Sequence, residues 1–387
     1  MNSKPETFSI DDNDRYSRLK LIGWWEQEKI AAAKVLVVGA GALGNEVLKN
    51  LCLLGFGHIH IIDFDEVQES NLTRSVLFRS EHAGMSKANV IAKTAGELNP
   101  DCHITPLHGN VMTEIGLGLV REMDVVIGCL DNREARLWVN RMCWKVGTPW
   151  IDGGIQEING VTKVFVPGDG PCYECTMTEN DYRLISLRYS CPLLRQEDIQ
   201  QGKVPTSPTI ASIIGGMQVQ EALKLIHDLP SDHGSAMVFN GAANNFYKTK
   251  FVPREDCLSH EFYTSIKTAP LTHESSLADV GNWLRETEGA SGEARLILDR
   301  DFLVTLDCRT CDVQKEINLP LCLVGSSDGV CESCSQPLQP KTVFQIQETI
   351  DLGTKTLKTI GIPAQDVLKI EMGPEESSSV FFVQLKS

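Results

Sequence analysis

Val35-Leu36-Val37-Val38-Gly39-Ala40-Gly41-Ala42-Leu43-Gly44 is the stretch on which the fold turns. Four consecutive apolar residues read as a strand buried on both faces. Gly39, Gly41 and Gly44 then form a Gly-x-Gly-x-x-Gly turn, and residues 45–54 continue as a helix. Glycines there permit a tight turn and let backbone N–H groups approach phosphate at the helix N-terminus. A second strand is expected over 58–63. Strand, turn, helix and strand in that order make a βαβ unit, and hence a parallel sheet. Asp63 ends that strand 19 residues after Gly44, a position suited to a ribose hydroxyl.

Outward from this unit, further strands are expected at 103–107, 124–129 and 149–152, with helices between them. Residues 158–166 read as a strand of a different, antiparallel part, and 237–247 as another strand. Upstream, an acidic arm leads into a helix over 14–34. Ser207-Pro208 opens a helix running to 226, with serine as N-cap and proline at the first helical position. The Gly215-Gly216 pair inside it would let another element approach closely. A helix over 276–286 begins a separate C-terminal module after a linker at 264–275. Residues 287–293 read as a flexible joint.

Composition bounds the function. At about 150 residues per domain, 387 residues suggest two or three domains. A 42% hydrophobic and 22% charged chain is an ordinary globular mix, which excludes wholesale disorder. With 36 basic against 51 acidic side chains the net charge is −15, which argues against a nucleic-acid-binding surface and suits a partner with a basic tail. The N-terminus is polar and the longest apolar runs fall far short of the roughly 20 residues of a membrane span. A cytoplasmic protein without membrane contact is expected.

The Gly-rich turn by itself admits a nicotinamide-dependent oxidoreductase, an ATP enzyme or a structural turn. The residues after it favour ATP. Asp65, Asn71, Arg74 and Lys87 follow Asp63 closely, and cations of this kind neutralise charge that builds on a departing pyrophosphate. Asp131 lies at the C-terminal end of a predicted strand, where open α/β sheets place ligands, and its carboxylate could hold Mg²⁺. Asn132 and Arg136 read equally as a helix cap with a structural ion pair, or as substrate contacts.

Taken in order, these motifs resemble the ThiF/MoeB and ubiquitin-activating (E1-like) adenylating enzymes. The matching residues are Arg15-Tyr16-Ser17-Arg18, the GAGALG turn, the DFDxVxxSNLTR stretch from Asp63 to Arg74, Lys87, Leu130–Arg136 and Gly170–Cys175. The helix from Thr206 to Lys224 also fits, so the match covers about residues 14–262. The spacing is more similar to the catalytic subunits that activate ubiquitin-like proteins than to dehydrogenases. The resemblance implies a doubly wound, mainly parallel α/β adenylation domain over 1–264 and a smaller β-rich, zinc-bearing module over 270–387.

It implies roles as well. Gly39, Gly41 and Gly44 would lie against the ATP phosphates and Asp63 would bind the ribose. Asp65, Asn71, Arg74 and Lys87 would surround the triphosphate, and Asp131 would hold Mg²⁺. Arg18 matches an arginine that reaches the γ-phosphate across a subunit interface, which implies a homodimer or a heterodimer with a related subunit. The substrate would be the C-terminal carboxylate of a ubiquitin-like protein, passed as a thioester to a conjugating enzyme. A sulfur-carrier activator without a thioester and a non-catalytic partner subunit are the alternatives. Leu19 and Ser75 depart from the glutamines that often follow the arginines matching 18 and 74.

Thirteen cysteines complete the picture, six of them in three Cys-x-x-Cys pairs. Cys172 and Cys175 cannot alone close a structural Zn²⁺ site, which normally takes four N/S ligands. Cys257 and His260 form a Cys-x-x-His where the family usually carries its second pair, so a Cys₃His site is expected. Cys308/Cys311 and Cys331/Cys334, 19 residues apart, read as a self-contained zinc ribbon with a knuckle at the tip of each hairpin. An exchange of pairs between the two sites, and a redox role for Cys172/Cys175, are the competing readings. Cys191 stands singly in the interval where the ubiquitin-activating branch keeps its catalytic cysteine, and is the candidate nucleophile. Cys52, Cys102, Cys129 and Cys143 read as core.

Overall fold

The computed structural model describes residues 10–190, 205–349, 351–374 and 377–387. Its first five strands are β1 (Lys34–Val38), β2 (His58–Asp63), β3 (His103–His108), β4 (Val125–Gly128) and β5 (Trp150–Gln156). They are parallel, in the order β3-β2-β1-β4-β5. Three antiparallel strands, β6 (Asn159–Phe165), β7 (Ser235–Asn240) and β8 (Asn245–Lys250), extend the same sheet to eight strands among the described residues.

Strand alternation explains why the central strands are apolar throughout. Val35 and Val37 face one core, shared with Ile59, Ile61 and Ile127, while Leu36 and Val38 face the other with Ile62 and Val126. Each fully buried Val, Leu or Ile contributes roughly 1.5–3 kcal/mol. The helices in chain order are α1 (Gln27–Ala32), α2 (Ala42–Leu54), α3 (Lys87–Leu98), α4 (Val111–Glu114), α5 (Leu117–Arg121), α6 (Arg133–Val146), α7 (Glu179–Ser190) and α8 (Pro208–Ile226). Side chains of α2, α3 and α8 fill the first core, and those of α4 to α6 the second. Ser207 caps α8 by accepting from the Ile210 N–H. Gly215 brings α8 against α2, since a Cβ there would sit 2.8 Å from the Glu46 Cβ.

The C-terminal region builds its own sheet from β9 (Lys267–Thr268), β10 (Ala294–Cys308), β11 (Val313–Pro320), β12 (Gln339–Gln347), β13 (Val367–Met372) and β14 (Ser379–Gln384). The order is β11-β10-β13-β14-β9, with β12 also on β10. Helix α9 (Leu277–Glu288) packs Leu277, Val280 and Leu284 onto this sheet.

Three local expectations are corrected. Residues 14–34 are not one helix: a 3₁₀ turn at Leu19–Leu21 and α1 are separate, because Trp25 packs on His227 and the Glu26 N–H donates to that imidazole. The strand expected over 237–247 is a hairpin, β7 to β8, with Asn244 in the left-handed region. The segment read as a linker holds β9, which pairs in parallel with β14.

The two parts meet at α5. Gly116 and Gly118 carry no side chains there, and a Cβ on either would collide with the carbonyl oxygen of Ala364 or Gln365. The Gly118 N–H donates to the Gln365 carbonyl at 2.8 Å, and the Asp366 carboxylate accepts from the Leu117 N–H at 2.9 Å. Burial pushes the Asp366 carboxyl up to about 6, so its charged form destabilises the fold above that pH. The associated stability is fully present below pH ~4 and is lost as pH rises through 6, a difference of about 3 kcal/mol. Asp366→Asn keeps the acceptor oxygen without the charge. Its melting temperature should exceed that of the wild type by a few degrees at pH 7.5 and converge with it near pH 4, as read by calorimetry at both pH values.

Candidate active site and metal centres

The glycine turn leaves β1 at the C-terminal edge of the sheet. Gly39 has φ +103° and packs so closely on the residue that follows β4 that a Cβ would lie 2.5 Å from the Cys129 carbonyl oxygen. On Gly44 a Cβ would collide with the Gly39 carbonyl, whereas on Gly41 it would meet nothing within 4 Å. The turn is therefore closed below and open above, which fits a ligand lying on the start of α2. Asn45 holds it: its Nδ2 donates to the Ala40 and Gly41 carbonyls at 3.0 Å, and its Oδ1 accepts from the Leu77 N–H.

Of the predicted polar residues, Asp63 touches this turn directly, and Asp65 and Lys87 are joined to it through Asp63. Asp63 accepts from the Ala40 N–H and the Asp65 N–H, each at 2.7 Å. Burial raises the Asp63 carboxyl against the pull of the Ala40 N–H and Lys87. Lys87 is the first residue of α3, and its Nζ sits 2.7 Å from Asp65 Oδ2. Arg74 donates to the Ser70 carbonyl at 2.7 Å, and Asn71 Oδ1 accepts from the Gln68 N–H, so both side chains are held within their own turn. Asp131 is exposed past the end of β4, 3.2 Å from the Asn132 amide. Arg18 is exposed at the start of the first 3₁₀ turn. The open Gly41 face at the start of α2, with the Lys87 ammonium and the Asp63, Asp65 and Asp131 carboxylates among the predicted residues, is a donor set that fits ATP and Mg²⁺.

Asn132 is a helix cap, accepting from the Ala135 N–H at 2.8 Å, and Arg136 pairs with Asp152 at 2.8 Å. Two participants escaped the sequence reading. Asp152 is a buried carboxylate in β5, opposite the last residue of β4 and beside Lys163, whose ammonium burial pushes downward. Gln218 is fully buried in α8 and reaches the β4 terminus. Neither carries a local sequence signal, since α8 holds further polar residues beside Gln218 and Asp152 is one aspartate of a short strand.

The cysteines gather into two groups. Ligand atoms of Cys172, Cys175, Cys257 and His260 all lie within 4.8 Å of one another, as do those of Cys308, Cys311, Cys331 and Cys334. In the first, the Cys172 and Cys257 sulfurs are 3.5 Å apart and Cys175 Sγ is 3.4 Å from His260 Nε2. The Arg254 N–H donates to Cys175 Sγ, and Trp144 stacks on the His260 ring with centroids 4.4 Å apart. Between the first two cysteines, Glu174 is fully buried and accepts from Arg141, Tyr182 and Ser259, tying one knuckle to the other. In the second group, Cys308 and Cys311 sit at the β10–β11 turn. Backbone N–H groups of Cys334 and Ser333 hold the Cys331 thiol down to about 7. Both sets have the thiolate and imidazole chemistry of a four-ligand Zn²⁺ site and could hold zinc. No exchange of pairs between the groups occurs among the described residues. Cys52, Cys102 and Cys143 are buried and Cys129 is half-buried. Cys191 lies outside the described residues.

A doubly wound, mostly parallel sheet with a Gly-rich turn between its first strand and helix defines the class of nucleotide-binding α/β folds. Residues 14–259 match the ThiF family, and the chain belongs to that family. It is 42% identical over 165 residues to SUMO-activating enzyme subunit 2 of Dictyostelium discoideum, a match covering 42% of this chain and 25% of that one. It is 33% identical over 248 residues to adenylyltransferase and sulfurtransferase MOCS3-1 of Drosophila pseudoobscura pseudoobscura, covering 62% of this chain and 52% of the relative. The chain thus spans a quarter to about half the length of these curated relatives. A crystal structure of E. coli MccB with succinimide superposes with a TM-score of 0.55 at 26% identity, covering 65% of this chain and 74% of that one. No helix among the described residues is long and apolar enough to cross a membrane.

Proposed function

We propose that the protein adenylates the C-terminal carboxylate of a ubiquitin-like protein. The observation that carries this reading is the open Gly41 turn, with Asp63 bonded to its Ala40 N–H and to the Asp65 N–H and with Lys87 paired to Asp65, to which the sequence adds Arg74 and Asp131. Hydride transfer has no use for that many groups directed at polyphosphate. A carboxylate oxygen of the carrier attacks the α-phosphorus of ATP, an acyl–O–P bond forms, the α–β bridge breaks and pyrophosphate leaves. The carboxylate is already a nucleophile, so the chain's work is positioning and charge stabilisation. Asp63 holds the ribose, the Gly41 face and Lys87 hold the phosphates, and Asp131 holds Mg²⁺, which supplies a counter-charge for the pyrophosphate. Arg18 acts across the interface of a dimer, with a second copy or a related subunit. Zinc in the two cysteine groups is structural.

In the full reading, the Cys191 thiolate then attacks the acyl carbonyl, AMP leaves, and the thioester is handed to a conjugating enzyme. The 248-residue match to MOCS3-1 supports a second route, in which a sulfur carrier is adenylated and no thioester forms. Incubation with ATP, Mg²⁺ and candidate carriers, followed by a non-reducing gel, separates the two. The thioester route gives an adduct that dithiothreitol removes and that Cys191→Ala abolishes, while ATP–pyrophosphate exchange persists in the mutant. Exchange without any thiol-labile adduct would refute the thioester and favour the sulfur-carrier route.

A further inference from the structure

We infer that Arg136 and Gln218 form a two-sided clamp that positions Asp131 for its divalent ion. The inference rests on the reading of Asp131 as the carboxylate of the nucleotide's metal.

Strand β4 ends at Gly128, whose last ladder partner is Asp152 on β5. The chain then leaves the sheet through Cys129 and Leu130 to Asp131, where regular pairing no longer fixes it. From one face of the sheet, α6 sends Arg136 into this gap. Its Nε donates to Asp152 Oδ1 at 2.8 Å, and its Nη2 donates to the Leu130 carbonyl at 2.5 Å and the Gly153 carbonyl at 3.0 Å. From the opposite face, α8 sends Gln218, whose Nε2 donates to the Gly128 carbonyl at 2.8 Å and the Ile151 carbonyl at 3.4 Å. Gly153 makes room for the amide, because a Cβ there would lie 2.5 Å from the Gln218 side chain.

The composition of the clamp is informative. Gln218 has no exposed surface and Asp152 is 2% exposed, one on each face of the sheet. Buried amides and ion pairs give less stability than apolar side chains of similar volume, so packing alone does not call for them. What they do is donate to the carbonyls of Gly128 and Leu130, where β4 ends, and to those of Ile151 and Gly153 in the neighbouring β5. The Leu130 carbonyl directly precedes Asp131, and Asn132 directly after it is fixed as the α6 cap. The Asp131 backbone is therefore held on both sides, and its carboxylate meets an ion without first ordering a loop. Arg136 and Gln218 act through Asp131 and are positioning residues.

The test uses Arg136→Lys and Gln218→Met in the full chain, the second keeping the side-chain length. Mn²⁺ binding is measured by electron paramagnetic resonance with saturating α,β-methylene-ATP, and α,β-methylene-ATP binding is measured separately without divalent ion. Both variants should weaken Mn²⁺ by about 10-fold, the size of second-layer effects on metal ligands. Ion-free nucleotide binding should change less than about 2-fold, with thermal unfolding still cooperative. Folded variants with wild-type Mn²⁺ affinity would overturn the clamp and leave the adenylation reading intact. A parallel loss of ion-free nucleotide binding would also overturn it, since the residues would then support the whole site. A wild type that binds neither probe would overturn both readings. If Arg136→Lys does not fold, Gln218→Met decides the matter by itself.

Discussion

Asp131→Ala is expected to slow carrier-dependent ATP–pyrophosphate exchange by about 10³-fold, the scale of removing one preorganised electrostatic group from a transition state. The same change should leave the melting temperature within about 1 °C, because an exposed side chain outside any core changes stability by at most about 0.5 kcal/mol. The structure separates the two effects unusually well. The Asp131 carboxylate is exposed and its hydrogen-bond partner is the adjacent Asn132 amide at 3.2 Å. Adding Mg²⁺ in large excess should restore part of the activity if the loss is one of ion affinity. A variant that exchanges at the wild-type rate would remove the metal assignment. A variant that loses exchange and melting temperature together would make Asp131 a structural residue.

The second large effect concerns zinc. The purified chain should carry two zinc ions, and Cys172→Ala and Cys331→Ala should each carry one, as read by elemental analysis. Structural zinc supplies apparent binding free energies of about 10–16 kcal/mol in small domains, and that energy is folding energy. Cys172 is wholly buried with Cys257 and with Trp144 of α6, the helix that starts directly after Asp131 and Asn132. Its loss should lower the melting temperature by more than about 10 °C and take nucleotide binding with it. Cys331 belongs to a separate small core with Leu303, Leu306 and Leu338, so its loss should unfold the C-terminal sheet first and spare nucleotide binding. A wild type without zinc, or single variants that keep both ions, would contradict the two-site arrangement.

What could be read in advance follows how local the determinants are. The run from Val35 to Gly44 carries its own signals, apolar residues for a doubly covered strand and glycines where a Cβ would strike backbone, and the structure places β1, the turn and α2 there. The α8 start was equally local, because Ser207 and Pro208 suit its first turn whatever packs above. Cys-x-x-Cys spacing joined residues 85 apart only because two thiols must find two more ligands, and the fold gathers those four. Elements set by distant partners were misread. Apolar residues from Leu19 to Trp25 have helical spacing, yet His227 draws Trp25 and the Glu26 N–H out of it. Lys267 and Thr268 look like linker until β14 supplies a neighbour more than a hundred residues later. Gln218 and Asp152 are ordinary polar letters in the sequence. Their meaning comes from the two sheet faces converging on β4, which no local pattern encodes.

The most direct measurement is ATP–pyrophosphate exchange with a panel of ubiquitin-like and sulfur-carrier proteins, each intact and with its last residues removed. Adenylation of a C-terminal carboxylate predicts label entering ATP only when an intact carrier is present, with no label for the truncated form. Exchange that proceeds equally without a carrier or with the truncated one, or no exchange with any intact carrier while the protein binds ATP, would contradict it.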